Sequence, residues 1–268
     1  MCNSPETASL FESIHLRRRR ICTRRSGRGL LLLALFLGLV PTARAGRTWY
    51  VDRVNGNDRK DCRSPQTACQ TIGHAISLTK RGDAIIVAAA TYQENLNIPF
   101  SLRIVGAGAA TTMIDGGGVA SPVLSTNPRA HVTLSRLTMR NGGGLGDGGG
   151  IYNCFATMTI INSIISGNTA TRRMGSLGFG GGIYNCPGGT LTIINSTLSG
   201  NSAEEGGGIC NGGSLTIVNT TFTGNTARNL RGGGIRNYGS LTINNSTFNG
   251  NSAPGGSGGG IHNGQLFG

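Results

Sequence analysis

The block Gly-Gly-Gly-Ile occurs five times in this 268-residue chain, ending at Ile151, Ile183, Ile209, Ile235 and Ile261, at spacings of 32, 26, 26 and 26 residues. Two residues beyond each Ile stands an Asn: Asn153, Asn185, Asn211, Asn237 and Asn263. A short alternating segment follows, as Met158-Thr159-Ile160, Leu191-Thr192-Ile193, Leu215-Thr216-Ile217 and Leu241-Thr242-Ile243. Asn162, Asn195, Asn219 and Asn245 then each precede an apolar residue three positions on (Ile165, Leu198, Phe222, Phe248). Three further comes a Gly-Asn pair ending at Asn168, Asn201, Asn225 and Asn251, and two beyond that an Ala (Ala170, Ala203, Ala227, Ala253). Length varies only in the links between blocks, which places the loops there.

A unit of about 26 residues with two or three short strands cannot bury its apolar positions alone, but stacked on copies of itself it can, each unit becoming one coil of a parallel β-solenoid. The repeat therefore predicts inward columns, Ile151 with Ile183, Ile209, Ile235 and Ile261, and Ile165 with Leu198, Phe222 and Phe248. Asn tolerates the left-handed backbone of corners, and stacked amides can hydrogen-bond along the column, so the three Asn columns are read as structural ladders. The sequons at Asn195, Asn219 and Asn245 are by-products of those ladders on this reading. Glycine fits the same period: 34 of the 46 Gly lie between Gly142 and Gly268 with no three-residue repeat, which excludes collagen.

Of the net charge of +13, residues 1–45, with eight Arg and two Glu, carry +6 and the remainder +7. Arg17, Arg18, Arg19, Arg20, Arg24, Arg25 and Arg28 precede the apolar run Leu30 to Val40, and Ala43-Arg44-Ala45 follows, the pattern of a secretory signal peptide over residues 1–45 whose core is too short to span a bilayer. Export predicts a secreted or cell-surface location, no transmembrane segment after cleavage and no nucleic-acid partner. The remaining 223 residues hold five Cys, and no Cys/His cluster stands at metal-ligand spacing. Cys62 with Cys69 is a candidate local disulfide. Cys154 and Cys186 hold equivalent places in successive coils and form a second candidate pair, leaving Cys210 over.

The Gly-Gly-Gly-Ile blocks with Phe222-Thr-Gly-Asn225 and Phe248-Asn-Gly-Asn251 resemble the repeats of chlamydial-type polymorphic outer-membrane proteins. More broadly, residues 47–268 look like a right-handed parallel β-helix of the pectin-lyase-like class, an all-β fold. The opening Trp49-Tyr50-Val51-Asp52, the segment Thr71 to Ile76 and the stretch Gly82 to Val87 are similar to the N-terminal section of such proteins. Thr71 to Leu78 places Ile72, Ala75, Ile76 and Thr79 on one helical face, a short capping helix over the first coil. Residues 46–141 are then the cap and irregular first coils, with strands at Ala84–Ala88, Leu96–Ile98, Leu102–Val105, Met113–Ile114 and Val132–Leu134, and residues 142–268 the regular coils, ending at Gln265-Leu266-Phe267-Gly268 inside a repeat. Dividing 223 by 26 predicts eight to nine turn-equivalents.

Enzymes of this class build their sites from charged residues of adjacent coils. From Gly142 onward the chain offers only Asp147, Glu204, Glu205 and five Arg, none assigned to a regular strand. Ala90-Thr91-Tyr92-Gln93-Glu94 resembles the GxYxE segment of pectinesterases with Ala for Gly, but no downstream carboxylate or arginine partner is identified, and Glu94 is read as structural. Asp52, Asn57, Asp58 and Asp61 lack Ca²⁺-loop spacing and read as a solvated turn. His74, His131 and His262 read as isolated. No catalytic, cofactor-binding or metal-ligating residue is assigned, and no cofactor is expected. The one charged locus in the repeats, Arg172-Arg173, then Glu204-Glu205, then Arg228 with Arg231, stacks opposite signs; it reads first as a surface ion-pair ladder and second as a contact for an anionic polysaccharide or a cell-surface partner. The leading expectation is a secreted or surface-exposed non-catalytic β-helix serving adhesion or glycan and partner binding, or a fragment of a larger exported protein. The alternative is a carbohydrate-active enzyme of the pectin-lyase-like class, a polysaccharide lyase, hydrolase or esterase. A third is an ice-binding surface on the Thr columns, with one Thr seen per strand.

Overall fold

The computed structural model describes residues 46–174 and 177–264. The expected signal peptide and the final Gln265 to Gly268 lie outside the described residues. No described helix is long and apolar enough to cross a membrane.

The chain is a parallel β-solenoid. Sheet I has eight strands, from Thr48–Val51 to Ser240–Asn244; sheet II has seven, from Ala90–Gln93 to Thr247–Asn249; sheet III has seven, from Leu96–Ile98 to Ile261–Asn263. A fourth sheet of four strands, Gly143–Leu145 to Thr226–Ala227, joins sheet II to sheet III in the later coils. Within each sheet the strands follow chain order and pair in parallel. About seven turns result, fewer than the quotient of chain length and repeat. Residues 52–83 fold as a cap instead of a coil, and the regular repeat begins only after it.

The inward columns form as the repeat predicts. Ile151, Ile183, Ile209, Ile235 and Ile261 stand in register, and Leu124 and Leu96 continue the column toward the cap. Ile165, Leu198, Phe222 and Phe248 form a second column, the two Phe rings stacked with centroids 4.6 Å apart. Each fully buried aliphatic contributes about 1.5–3 kcal/mol. Period-2 alternation within these short strands turns the column side chains inward, and they are buried except in the last coil, where Phe248 is partly buried and Ile261 exposed.

The Asn columns divide by role. Asn153, Asn185, Asn211 and Asn237 are buried and linked Nδ2 to Oδ1, on to Asn263, at 2.8, 2.7, 2.6 and 2.7 Å. Asn168, Asn201, Asn225 and Asn251 form a second ladder at 3.0, 2.9 and 2.8 Å. The third column is a corner. Asn162, Asn195, Asn219 and Asn245 are exposed and turn sheet I into sheet II with φ of 50°, 49°, 49° and 46°, the left-handed region that Asn tolerates. In each Gly-Gly-Gly-Ile block the first Gly has positive φ, from 66° at Gly206 to 73° at Gly258, and a side chain on the second would overlap a neighbouring coil's backbone.

The helix Ile72–Leu78 caps the N-terminal end, with Ile72, Ala75, Ile76 and Thr79 buried. It packs on strands Thr48–Val51, Ala84–Val87 and Leu96–Ile98. Thr71 caps it by accepting from the His74 amide. The strands of sheet I begin one residue earlier than read from sequence, so Thr157–Ile161 and Thr190–Ile194 carry two outward Thr each, not one. Both candidate disulfides are present, Cys62–Cys69 and Cys154–Cys186, with Cα atoms 4.9 and 5.0 Å apart. Cys210 is a buried free thiol.

Candidate functional site

Three polar residues align on the outer face of sheet II where the irregular coils meet the regular ones. Gln93, Asp115 and Arg140 each end a strand and are register partners across three successive coils. Asp115 is the centre. Its Oδ2 accepts from Arg140 Nε at 2.8 Å and Asn141 Nδ2 at 2.9 Å, and its Oδ1 from the Gly117 amide at 2.9 Å. Burial works to raise the Asp115 pKa, but these donors outweigh it and hold the carboxyl below the usual carboxylate range. Asp115 is therefore an anion at neutral pH.

Gln93, Asp115 and Asn141 line one end of an open groove of about 730 Å³ between sheets II and IV, lined also by Gly117, Gly118, Gly142, Gly143, Leu145, Thr169 and Thr171. Glycine is required here by close approach. A side chain on Gly142 would overlap the Gly149 carbonyl, and one on Gly143 the Gly118 and Val119 carbonyls. The groove thus has a backbone floor and planar polar side chains at one end. Reading along the sequence identifies no carboxylate or arginine partner downstream of the Ala90 to Glu94 segment; in the structure Asp115 and Arg140 stand in register with Gln93. The signal was hidden because both lie in coils of irregular length. Glu94 points away from the groove to the capping helix, where its oxygens accept from the Ile72 and Gly73 amides at 2.9 and 2.7 Å. Burial, opposed by those bonds, raises its pKa.

The charged links are only partly the ladder expected. Arg228 pairs with Glu204 at 3.5 Å and donates to the Ala170 carbonyl at 2.7 Å. Arg231 is exposed, and its carbonyl accepts from Gly206. Arg172 and Arg173 are exposed and directly follow Thr171, a groove-lining residue. Glu205 turns elsewhere, to Arg236 at 2.8 Å.

Arg236 corrects another expectation, since it lies on a regular strand, Ile235–Asn237, and is 2% exposed. It belongs to a column that runs between the repeated Ile and Asn: Tyr152, Tyr184, Cys210, Arg236 and His262, all in register on the outer face of sheet III. Glu205 Oε2 accepts from the Tyr238 hydroxyl at 2.7 Å, and the Arg236 guanidinium stacks on the Tyr238 ring at 3.9 Å. The Arg236 Nε contact with Glu205 is a charge pair off the hydrogen-bonding direction, and Nη1 finds no acceptor among the described residues. Burial, with the nearby Glu205 charge, pushes the Cys210 thiol pKa well up, and burial followed by the bond to Glu205 takes Tyr238 up to about 12. The sequence held a signal for this column: within Gly-Gly-Gly-Ile-X-Asn, the position X alone changes chemistry from coil to coil.

Asp52, Asn57, Asp58 and Asp61 do not converge. Each accepts from nearby amides, Asp52 from Val54 and Asn55, Asn57 from Arg59, Asp58 from Gln70 and Thr71, Asp61 from Arg63. The donor set with metal-ligand proximity among the described residues is instead Cys62, Cys69 and His74, whose ligand atoms lie within 4.8 Å of one another. His74, apart from His131 and His262 as expected, thus has the two disulfide-bonded sulfurs as neighbours.

No family model matches the chain, and no curated protein matches it. Among solved structures, pectin methylesterase PemA from Erwinia chrysanthemi is similar at 13% identity and TM-score 0.49, over 75% of this chain and 66% of that one. A pectin methylesterase from carrot is similar at 13% and 0.44, over 75% and 65%. One from Aspergillus niger is similar at 14% and 0.40, over 80% and 87%. The chain spans about two thirds of the length of the first two. At these identities and scores no residue role carries over.

Proposed function

We propose that the chain is an exported or surface-exposed polysaccharide-binding β-solenoid that holds an anionic glycan along the groove beside Asp115. The observation that carries this reading is the alignment of Gln93, Asp115 and Arg140 over three coils, with Gln93, Asp115 and Asn141 lining the end of an open, glycine-floored groove. Sugars present hydroxyls that both donate and accept, and a fixed carboxylate, two amides and a guanidinium meet both needs. The backbone floor lets a flat chain lie close. Arg140, 36% exposed at its side chain, and Arg172 with Arg173 beyond the rim favour a sugar bearing carboxylate or sulfate. Calorimetric titration with polygalacturonate and with neutral dextran tests this. Polygalacturonate is expected to bind, with salt-sensitive affinity that falls about tenfold in Arg140→Ala/Asn141→Ala and loses its salt dependence in Arg172→Ala/Arg173→Ala. Equal binding by the first double variant and the parent would sink the groove as the site.

A second reading, a carbohydrate-active enzyme, is supported by the same carboxylate–guanidinium pair. A carboxylate held as its anion serves as base or nucleophile, not as proton donor. Asp115 is the lone carboxylate lining the groove among the described residues, which places binding ahead of catalysis. Release of methanol, reducing ends or unsaturated ends from pectin, abolished in Asp115→Asn, would reverse that order.

A further inference from the structure

The cap carries a second cluster, remote in chemistry from the groove and independent of the reading above. Cys62 and Cys69 are fully buried and their sulfurs are joined, and a ring nitrogen of the half-buried His74 lies within 4.8 Å of both. We propose that Cys62, Cys69 and His74 form a redox-gated site for a thiophilic divalent cation such as Zn²⁺, closed while the sulfurs are joined and opened when a dithiol reductant parts them.

The backbone holds the two cysteines together whether or not the sulfurs are bonded. Tyr50 donates to the Cys62 carbonyl at 2.9 Å, Cys69 donates to Tyr50 at 2.8 Å, and Asp52 donates back to Cys69 at 2.8 Å. Cys62 itself donates to Thr67 at 2.9 Å across the 3-10 turn Pro65–Thr67, which Ser64 caps. Reduction therefore leaves the two thiols side by side on a loop sewn to strand Thr48–Val51. His74 is fixed by separate means: its amide is capped by Thr71, the helix start by Glu94, and the turn before it by Asp58, which takes the Gln70 and Thr71 amides and the Thr71 hydroxyl. Three ligands are thus pre-positioned from two independently anchored segments, the arrangement that lets a site bind without reorganising its scaffold.

The donor set fits. Zn–S of about 2.3 Å and Zn–N of about 2.0–2.1 Å in a tetrahedron place ligand atoms about 3.5–3.8 Å apart. Ligand atoms already within 4.8 Å of one another reach that spacing by rotation about the Cys and His side-chain bonds. Two thiolates and a neutral imidazole balance the charge of a divalent ion. The chemistry balances: the disulfide takes two electrons and two protons from a dithiol, which becomes a cyclic disulfide, and Zn²⁺ then displaces the two thiol protons to solvent.

The test uses the full chain, reduced with dithiothreitol, desalted anaerobically and titrated with Co²⁺ and then Zn²⁺. The expected result is a thiolate-to-cobalt absorption band, one equivalent of metal more than in Cys62→Ser/Cys69→Ser, and no such band in the oxidised chain. His74→Ala is expected to form the Cys62–Cys69 disulfide normally yet bind the metal at least about tenfold more weakly. Because the double variant removes a cap staple, the same question is put to the parent by mass spectrometry, where Zn²⁺ should protect Cys62 and Cys69 of the reduced chain from iodoacetamide. An identical cobalt spectrum in parent and double variant, unchanged affinity in His74→Ala, or alkylation indifferent to Zn²⁺ each overturns the proposal and leaves a structural disulfide.

Discussion

Asp115 and Arg140 occupy the same register position on adjacent coils, and the Arg140 Nε lies 2.8 Å from Asp115 Oδ2. Replacing the carboxylate by an amide, Asp115→Asn, turns an acceptor for three donors into one that itself donates. The expected loss is about 1–3 kcal/mol at neutral pH, measured by urea unfolding. The pH dependence has a definite sign. The folded pKa lies below the ordinary value of 3.8, so this contribution is complete above that value and disappears as pH falls through the folded pKa. The parent should lose stability below about pH 3.8 more steeply than Asp115→Asn.

The buried Glu205–Arg236 pair predicts strong non-additivity. Arg236→Met leaves the Glu205 carboxylate and the Tyr238 hydroxyl facing an apolar side chain, and Glu205→Gln leaves a buried guanidinium without its counter-ion. Each single change should cost about 3–5 kcal/mol, while the double change recovers most of it. A double-mutant cycle from urea midpoints reads the coupling; strictly additive losses would contradict the burial of the pair.

Position within the Asn ladder should decide cost. Asn211→Ala removes the amide between Asn185 and Asn237 and leaves buried groups unpaired on both sides, for about 2–3 kcal/mol. Asn263→Ala, at the exposed end of the ladder, should cost less than about 1 kcal/mol. Chemical denaturation of the two variants side by side tests the gradient.

Cys210 should resist alkylation in the folded chain. Its thiol is 1% exposed and burial raises its pKa, so iodoacetamide should label it only after denaturant opens the coils, unlike an exposed thiol. Peptide mass spectrometry across a urea series should show labelling of Cys210 tracking global unfolding.

The solenoid was legible because its determinants recur. Ile151 with Ile183 and Ile209, and Leu198 with Phe222, are equivalent by counting, and counting also gives strand register once each coil has a fixed length. The disulfide between Cys154 and Cys186 followed from the same equivalence. The groove was not legible because Gln93, Asp115 and Arg140 come from coils whose lengths differ, so alignment in space leaves no period in the sequence. His74 stands five residues after Cys69, in the first turn of helix Ile72–Leu78, and meets both sulfurs at a spacing that matches no metal-ligand motif. Arg236 hides for a different reason: the repeat is defined by its invariant Ile and Asn, and Arg236 occupies the variable position between Ile235 and Asn237.

Both buried Asn ladders run one way. Each Nδ2 points toward the following coil, from Asn153 through to Asn263 and from Asn168 through to Asn251. Flipping one amide would set its oxygen against a backbone carbonyl, as at Asn185 against Gly189 and at Asn201 against Ile165. The side chains therefore sum to a vector, as peptide units do along a helix, and successive amides polarise one another. At the cap side the first oxygens are taken by Thr126 and the Gly142 amide. Asn263 is the last acceptor of the Asn153 ladder among the described residues, so the two ladders give the stacked coils an electrical direction that runs from the cap toward the later repeats.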